Sequence, residues 1–100
     1  GFNLWLTDNS SCYSTYGYNA GASPAYGSNY ITYSASVTPS SSFTVQGVVL
    51  AAKNNGSSCA SVTCQSNTCP NCDMPILYNQ VNVNVSANTT YSVAYQITVM

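Results

Sequence analysis

The chain has 100 residues and only three charged side chains, Asp8, Lys53 and Asp73, for a formal net charge of −1. That is 3% charge against the roughly 25% of an average soluble domain, and one Lys cannot build the phosphate-neutralising face that nucleic-acid binding needs. His and Glu are both absent, which removes Ser-His-Asp and Cys-His machinery and the commonest metal ligand, so no enzyme activity, metal or cofactor is expected.

Solubility has to come from neutral groups. Ser, Thr and Asn supply 16, 10 and 12 residues, a wet surface without the charge repulsion that keeps copies of a protein apart. A chain of this size buries about two thirds of its unfolded surface around one core, and its β-branched and aromatic residues fall in alternating runs that argue against disorder. The longest apolar run, Val48 to Ala52, is far short of the ~20 residues of a spanning helix. No membrane span is expected. The opening Gly1-Phe2-Asn3 carries neither a basic region nor an initiator Met, which suits a processed, secreted chain found outside the cell or on its surface.

In chain order, Phe2, Leu4 and Leu6 alternate weakly with Asn3, Trp5 and Thr7 and predict a short strand with few internal partners. Asp8-Asn9-Ser10-Ser11 breaks it. From Cys12 to Tyr30 the sequence turns simple, with Tyr at 13, 16, 18, 26 and 30 among Gly, Ser and Ala, as in a long surface loop or a pair of irregular edge strands. Ile31, Tyr33, Ala35 and Val37 then form a clean half-buried strand closed by Thr38-Pro39-Ser40. Phe43, Val45 and the run from Val48 make the next, with a bulge expected at Gly47 where the alternation changes phase. Lys53-Asn54-Asn55-Gly56 is the strongest turn signal, and a further strand opens at Ile76-Leu77-Tyr78. In the last nineteen residues, Val83 and Val85 and then Tyr91, Val93, Tyr95, Ile97 and Val99 keep a period of two around the turn Ala87-Asn88-Thr89-Thr90. The final strand is expected to be a central or closing one. No apolar stripe has helical spacing. The expectation is an all-β domain, a β-sandwich of jelly-roll or Greek-key type, with a barrel as second choice.

Cys12, Cys59, Cys64, Cys69 and Cys72 are dense enough to argue for disulfide stapling in an oxidising exterior. Their number is odd, and sequence alone does not choose a connectivity. The spacing lacks the paired CxxC knuckles of a zinc site, and Cys69-Pro70-Asn71-Cys72 has no βαβ context for redox catalysis. Asp8 and Asp73 read as turn residues rather than a glycosidase pair. Asn9, Asn55, Asn84 and Asn88 each open an Asn-x-Ser/Thr acceptor triplet and are glycosylation candidates. Nine Tyr and one Trp serve either a sugar-stacking platform or contacts between identical subunits, while Tyr33, Tyr78, Tyr91 and Tyr95 are expected to pack inside the domain.

A short apolar strand, Phe2 to Leu6, ahead of a β-sandwich ending in Tyr91-Ser-Val-Ala-Tyr95-Gln-Ile-Thr-Val99 resembles the subunits of extracellular filaments that polymerise by donor-strand exchange, such as chaperone-usher pilins and TasA-like bundling pili of archaea. The resemblance is one of layout over the whole chain. It implies a donor strand over residues 1–7, a sandwich over 8–100 completed by a neighbour's strand, and a subunit interface made by Phe2, Leu4, Trp5 and Leu6. The implied partners are identical subunits in a homopolymer, with glycans as further candidates. Classical pilins carry one disulfide, unlike this five-cysteine chain. The alternative is a secreted, monomeric carbohydrate-binding module using Trp5 and the Tyr-rich segment.

Overall fold

A computed structural model describes residues 1–8, 17–53 and 73–100. Within them the chain is all-β, with seven strands: β1 Phe2–Thr7, β2 Gly17–Gly21, β3 Ser23–Tyr26, β4 Tyr30–Val37, β5 Phe43–Ala52, β6 Met74–Val85 and β7 Tyr91–Thr98. They form two sheets, one in the order β2-β1-β5-β6 and the other β3-β4-β7. Every pairing is antiparallel. The Tyr-rich stretch thus contributes two edge strands, and only Ala22 separates them where the chain passes from one sheet to the other.

Period-two patterning decides which side chains meet between the sheets. Leu6, Val45 and Val85 from the four-stranded sheet pack with Val37 from the three-stranded one, and Tyr18, Phe43, Val48, Tyr91 and Val93 surround them. Phe2 extends this layer to Tyr33, ring centroids 5.2 Å apart and nearly edge-on. Tyr95 donates its hydroxyl across the gap to the Val48 carbonyl. Burial pushes that phenol up to about 12 from 10.0, against a backbone hydrogen bond from Asn79 and with a smaller push from Tyr78.

One end of the molecule is tied by its two sheet-crossing connections. The Asn88 amide donates to the Pro39 carbonyl at 2.7 Å, Ala87 N to Ser42 Oγ at 2.9 Å, and the hydroxyls of Thr38 and Thr90 meet at 2.8 Å. Asn88 adopts a φ of 62°, a left-handed conformation that Asn tolerates better than most residues.

Three strands differ from their sequence-based reading. Phe2–Thr7 has partners on both sides, β2 and β5, and its residues are buried on both faces. The residues 76–78 and 82–85 belong to one twelve-residue strand, β6. Strand β7 pairs only with β4 among the described residues, so it is an edge, and the turn after β6 is a crossing between sheets rather than a hairpin. The irregularity near Gly47 is present as a register shift between Val45 and Gly47. There Val81 and Asn82 of β6 face the single residue Gln46, so the extra residue lies on β6.

Candidate functional site

The site is built around β1. Leu4, Trp5 and Leu6 are 0%, 1% and 5% exposed, so this strand is buried on both faces, which central strands covered on two sides require. Leu4 and Leu6 point to the layer between the sheets. Trp5 points the other way and packs with Val49, Ala51 and Tyr78, all from its own sheet. The cross-strand register is Trp5 opposite Asn19 and Val49, with Val49 opposite Tyr78.

On that outer side lies a group that charge counting does not reveal. Asp73, immediately before β6, is 2% exposed, and its Oδ2 accepts 2.8 Å hydrogen bonds from Asn3 Nδ2 and from Trp5 Nε1. A buried carboxylate is tolerable when charge-assisted hydrogen bonds replace its water. Both donors come from β1, 70 and 68 residues away in sequence. Position 73 reads as a turn from its neighbours; only the pairing of β1, β5 and β6 brings it to the first strand. Thr7, on the same side as Trp5 and fully buried, donates its hydroxyl to the Gly47 carbonyl at 3.2 Å. Beside it, a Cβ at Gly17 would stand 2.8 Å from the Leu6 carbonyl oxygen and 3.2 Å from Trp5 Cε3. The bare backbone of Gly17 is what lets β2 lie against β1 here.

Two surface features flank this core. The β2–β3 side of the molecule is closed by the direct passage through Ala22, whereas the opposite side, between β6 and β7, holds a groove of about 320 Å³ lined by Val45, Val81, Val83, Val85, Tyr91 and Val93 among others. At the end where β3 turns into β4, a second depression of about 510 Å³ is lined by Tyr26, Tyr30, Ile31, Ile97 and Val99. Tyr26 is 77% exposed. The Tyr30 ring lies over Gly27, so close that a Cβ there would fall 2.1 Å from it.

The four interface candidates Phe2, Leu4, Trp5 and Leu6 therefore sit together on one strand, inside the four-stranded sheet of the same chain. In this arrangement Trp5 shows no ring face to solvent. Tyr33, Tyr78, Tyr91 and Tyr95 are half-buried in the domain. Asn84 is exposed on β6 with its Oδ1 accepting from Thr44 Oγ1 at 2.8 Å, and Asn88 stands in the turn after it. Asn9, Asn55 and all five cysteines, Cys12, Cys59, Cys64, Cys69 and Cys72, lie outside the described residues. Among the described residues no three His, Cys, Asp or Glu side chains cluster as metal ligands, and no helix is long and apolar enough to cross a membrane.

No family model, no curated protein and no solved structure matches the chain. A functional reading therefore rests on the geometry.

Proposed function

We propose that this chain is the repeating subunit of an extracellular filament, polymerising head-to-tail by β-strand donation and serving adhesion, bundling or matrix formation. The observation that carries this reading is the position of β1. It is the most completely buried strand and holds the middle of its sheet, and it is joined to the following strand by residues 8–16. Nine residues reach about 30 Å when extended. A β1 taken from one copy and laid between β2 and β5 of the next makes the same cross-strand pairs as it makes at home. The exchange thus costs little contact energy, and concentration and the connection decide between the closed monomer and the open chain.

The near-zero charge supports this reading, because it imposes no long-range repulsion between subunits. In the filament the domain is a Greek-key or jelly-roll sandwich over residues 8–100, stapled by disulfides and completed by residues 1–7 of a neighbour. Glycans on the Asn acceptors would add the solvation that charge does not.

A second reading has one observation in its favour. Tyr26 and Tyr30 flank an open depression, and exposed rings of this kind stack on the faces of sugars, as a carbohydrate-binding module requires. Trp5 would take no part.

Negative-stain electron microscopy of the purified full chain, with sedimentation in non-reducing buffer, separates the two. Regular fibres that persist on dilution are the expected result. A 10.5 kDa species that stays monomeric at high concentration would sink the filament reading, and retention on immobilised polysaccharides would then favour the second.

A further inference from the structure

We infer that Asp73 is the residue that selects the donated strand and sets its register, an inference that rests on the strand-donation reading above. Apolar patterning alone leaves the register of β1 ambiguous. A slip by one residue exchanges its two faces and is strongly penalised, but a slip by two returns Leu4 to the place of Leu6 and keeps the apolar face inward. The Asp73 carboxylate removes this degeneracy. In the observed register it receives the Asn3 amide and the Trp5 indole N–H, both at 2.8 Å. A slip by two in one direction puts Trp5 at the place of Asn3 and Thr7 at the place of Trp5; in the other direction Gly1 and Asn3 arrive. The first substitutes a short hydroxyl for an indole, and the second offers no side-chain donor at one of the two places.

The carboxylate is 2% exposed, so water cannot replace a donor that the incoming strand fails to bring. A foreign apolar strand that filled the slot equally well would leave a buried negative charge without these partners. Asp73 thereby acts as a positioning residue: it rejects strands and registers lacking an amide at one position and an N–H two residues later.

The test exchanges the two hydrogen-bonding groups. Asn3→Asp places two carboxylates against each other, and Asp73→Asn removes the charge that Asn3 and Trp5 are arranged to meet. Each variant alone should lose at least about tenfold in pelletable fibre, from carboxylate repulsion in Asn3→Asp and from the loss of both charge-assisted hydrogen bonds in Asp73→Asn. The double variant N3D/D73N restores an amide–carboxylate pair and should restore fibres. An equimolar mixture of the two single variants should also assemble. In its alternating order the N3D strand enters a D73N slot, which pairs carboxylate with amide in exchanged positions, and the next interface carries the native pair of Asn3 with Asp73. Fibres from both single variants at wild-type yield would overturn the role of Asp73 while leaving strand donation standing. Rescue by the double variant without rescue by the mixture would show the pair acting within one chain and overturn donation. Absence of fibres from the wild-type chain would overturn both.

Discussion

The first and last strands make an instructive pair. β7 carries the cleanest alternation in the chain, Tyr91, Val93, Tyr95 and Ile97 against Ser92, Ala94, Gln96 and Thr98, and among the described residues it is an edge strand with one half-buried face. β1 alternates weakly, and it is the strand with the deepest burial, paired on both sides. Clean alternation reports that one face meets water. A strand buried on both faces has no reason to alternate between apolar and polar, so its pattern weakens as its structural importance grows. In β1 the outer face is closed by Asn3, Trp5 and Thr7, two of them polar, each with a hydrogen-bond partner.

Truncating one large apolar side chain in each strand tests that contrast most severely. Trp5→Ala should cost about 3–5 kcal/mol, typical of a large side chain removed from a core, and it also deprives Asp73 of a donor. Ile97→Ala on β7, at a side chain 40% exposed, should stay within about 0.5 kcal/mol. Denaturant unfolding of the two variants reads both numbers, and equal losses would refute the asymmetry between the strands.

The fit of β2 against β1 gives the next effect. Gly17→Ala pushes a methyl group to 2.8 Å from a backbone oxygen, which a flexible side chain cannot relieve by moving, and should cost about 1–3 kcal/mol. The same unfolding assay applies; an unchanged midpoint would show that β2 can move off β1 freely.

On the β7 side, Asn88 holds the crossing into the strand at φ 62°. Asn88→Val should lose about 1–2 kcal/mol to the left-handed backbone, whereas Asn88→Gly should be close to neutral. A Val variant as stable as the Gly variant would mean that the turn relaxes to another conformation.

A further effect is a pH dependence in the bond that joins β7 to β5. Tyr95 titrates near 12 when folded and near 10.0 when unfolded. Well below pH 10 the phenol is neutral in both states and its contribution is intact. Between pH 10 and about 12 the unfolded chain releases this proton first, so stability falls as pH rises. Tyr95→Phe should remove that portion of the alkaline loss and, at neutral pH, cost about 1 kcal/mol for the hydrogen bond to Val48. A variant with an unaltered alkaline slope would assign the loss to other tyrosines.

Much of the strand layout was legible because it depends on local alternation and turn chemistry. Ile31 to Val37, Phe43 to Ala52 and the strand opening at Tyr91 could be read from side-chain period, although the alternation through Val99 overran β7, which ends at Thr98 and leaves Val99 71% exposed; the phase change at Gly47 marked a true irregularity in pairing. The breaks at Pro39 and Asn88 were visible for a related reason: Pro fixes its own φ, and Asn accepts the left-handed φ that a turn demands. The candidate site was only half legible. Phe2, Leu4, Trp5 and Leu6 stood out as an apolar strand, but Asp73 looked like one more turn residue.

What the residues alone determined is the class of the domain: period-two patterning, the lack of any helical stripe and a surface of neutral hydroxyls and amides dictate β-structure with almost no charge. Tertiary structure decided the ranking of the strands. Which strand is central depends on pairings such as Trp5 with Val49 and Asp73 with Asn3, between residues 44 or more positions apart. No local pattern encodes those partners, because a strand's period states how many of its faces are buried and not what buries them.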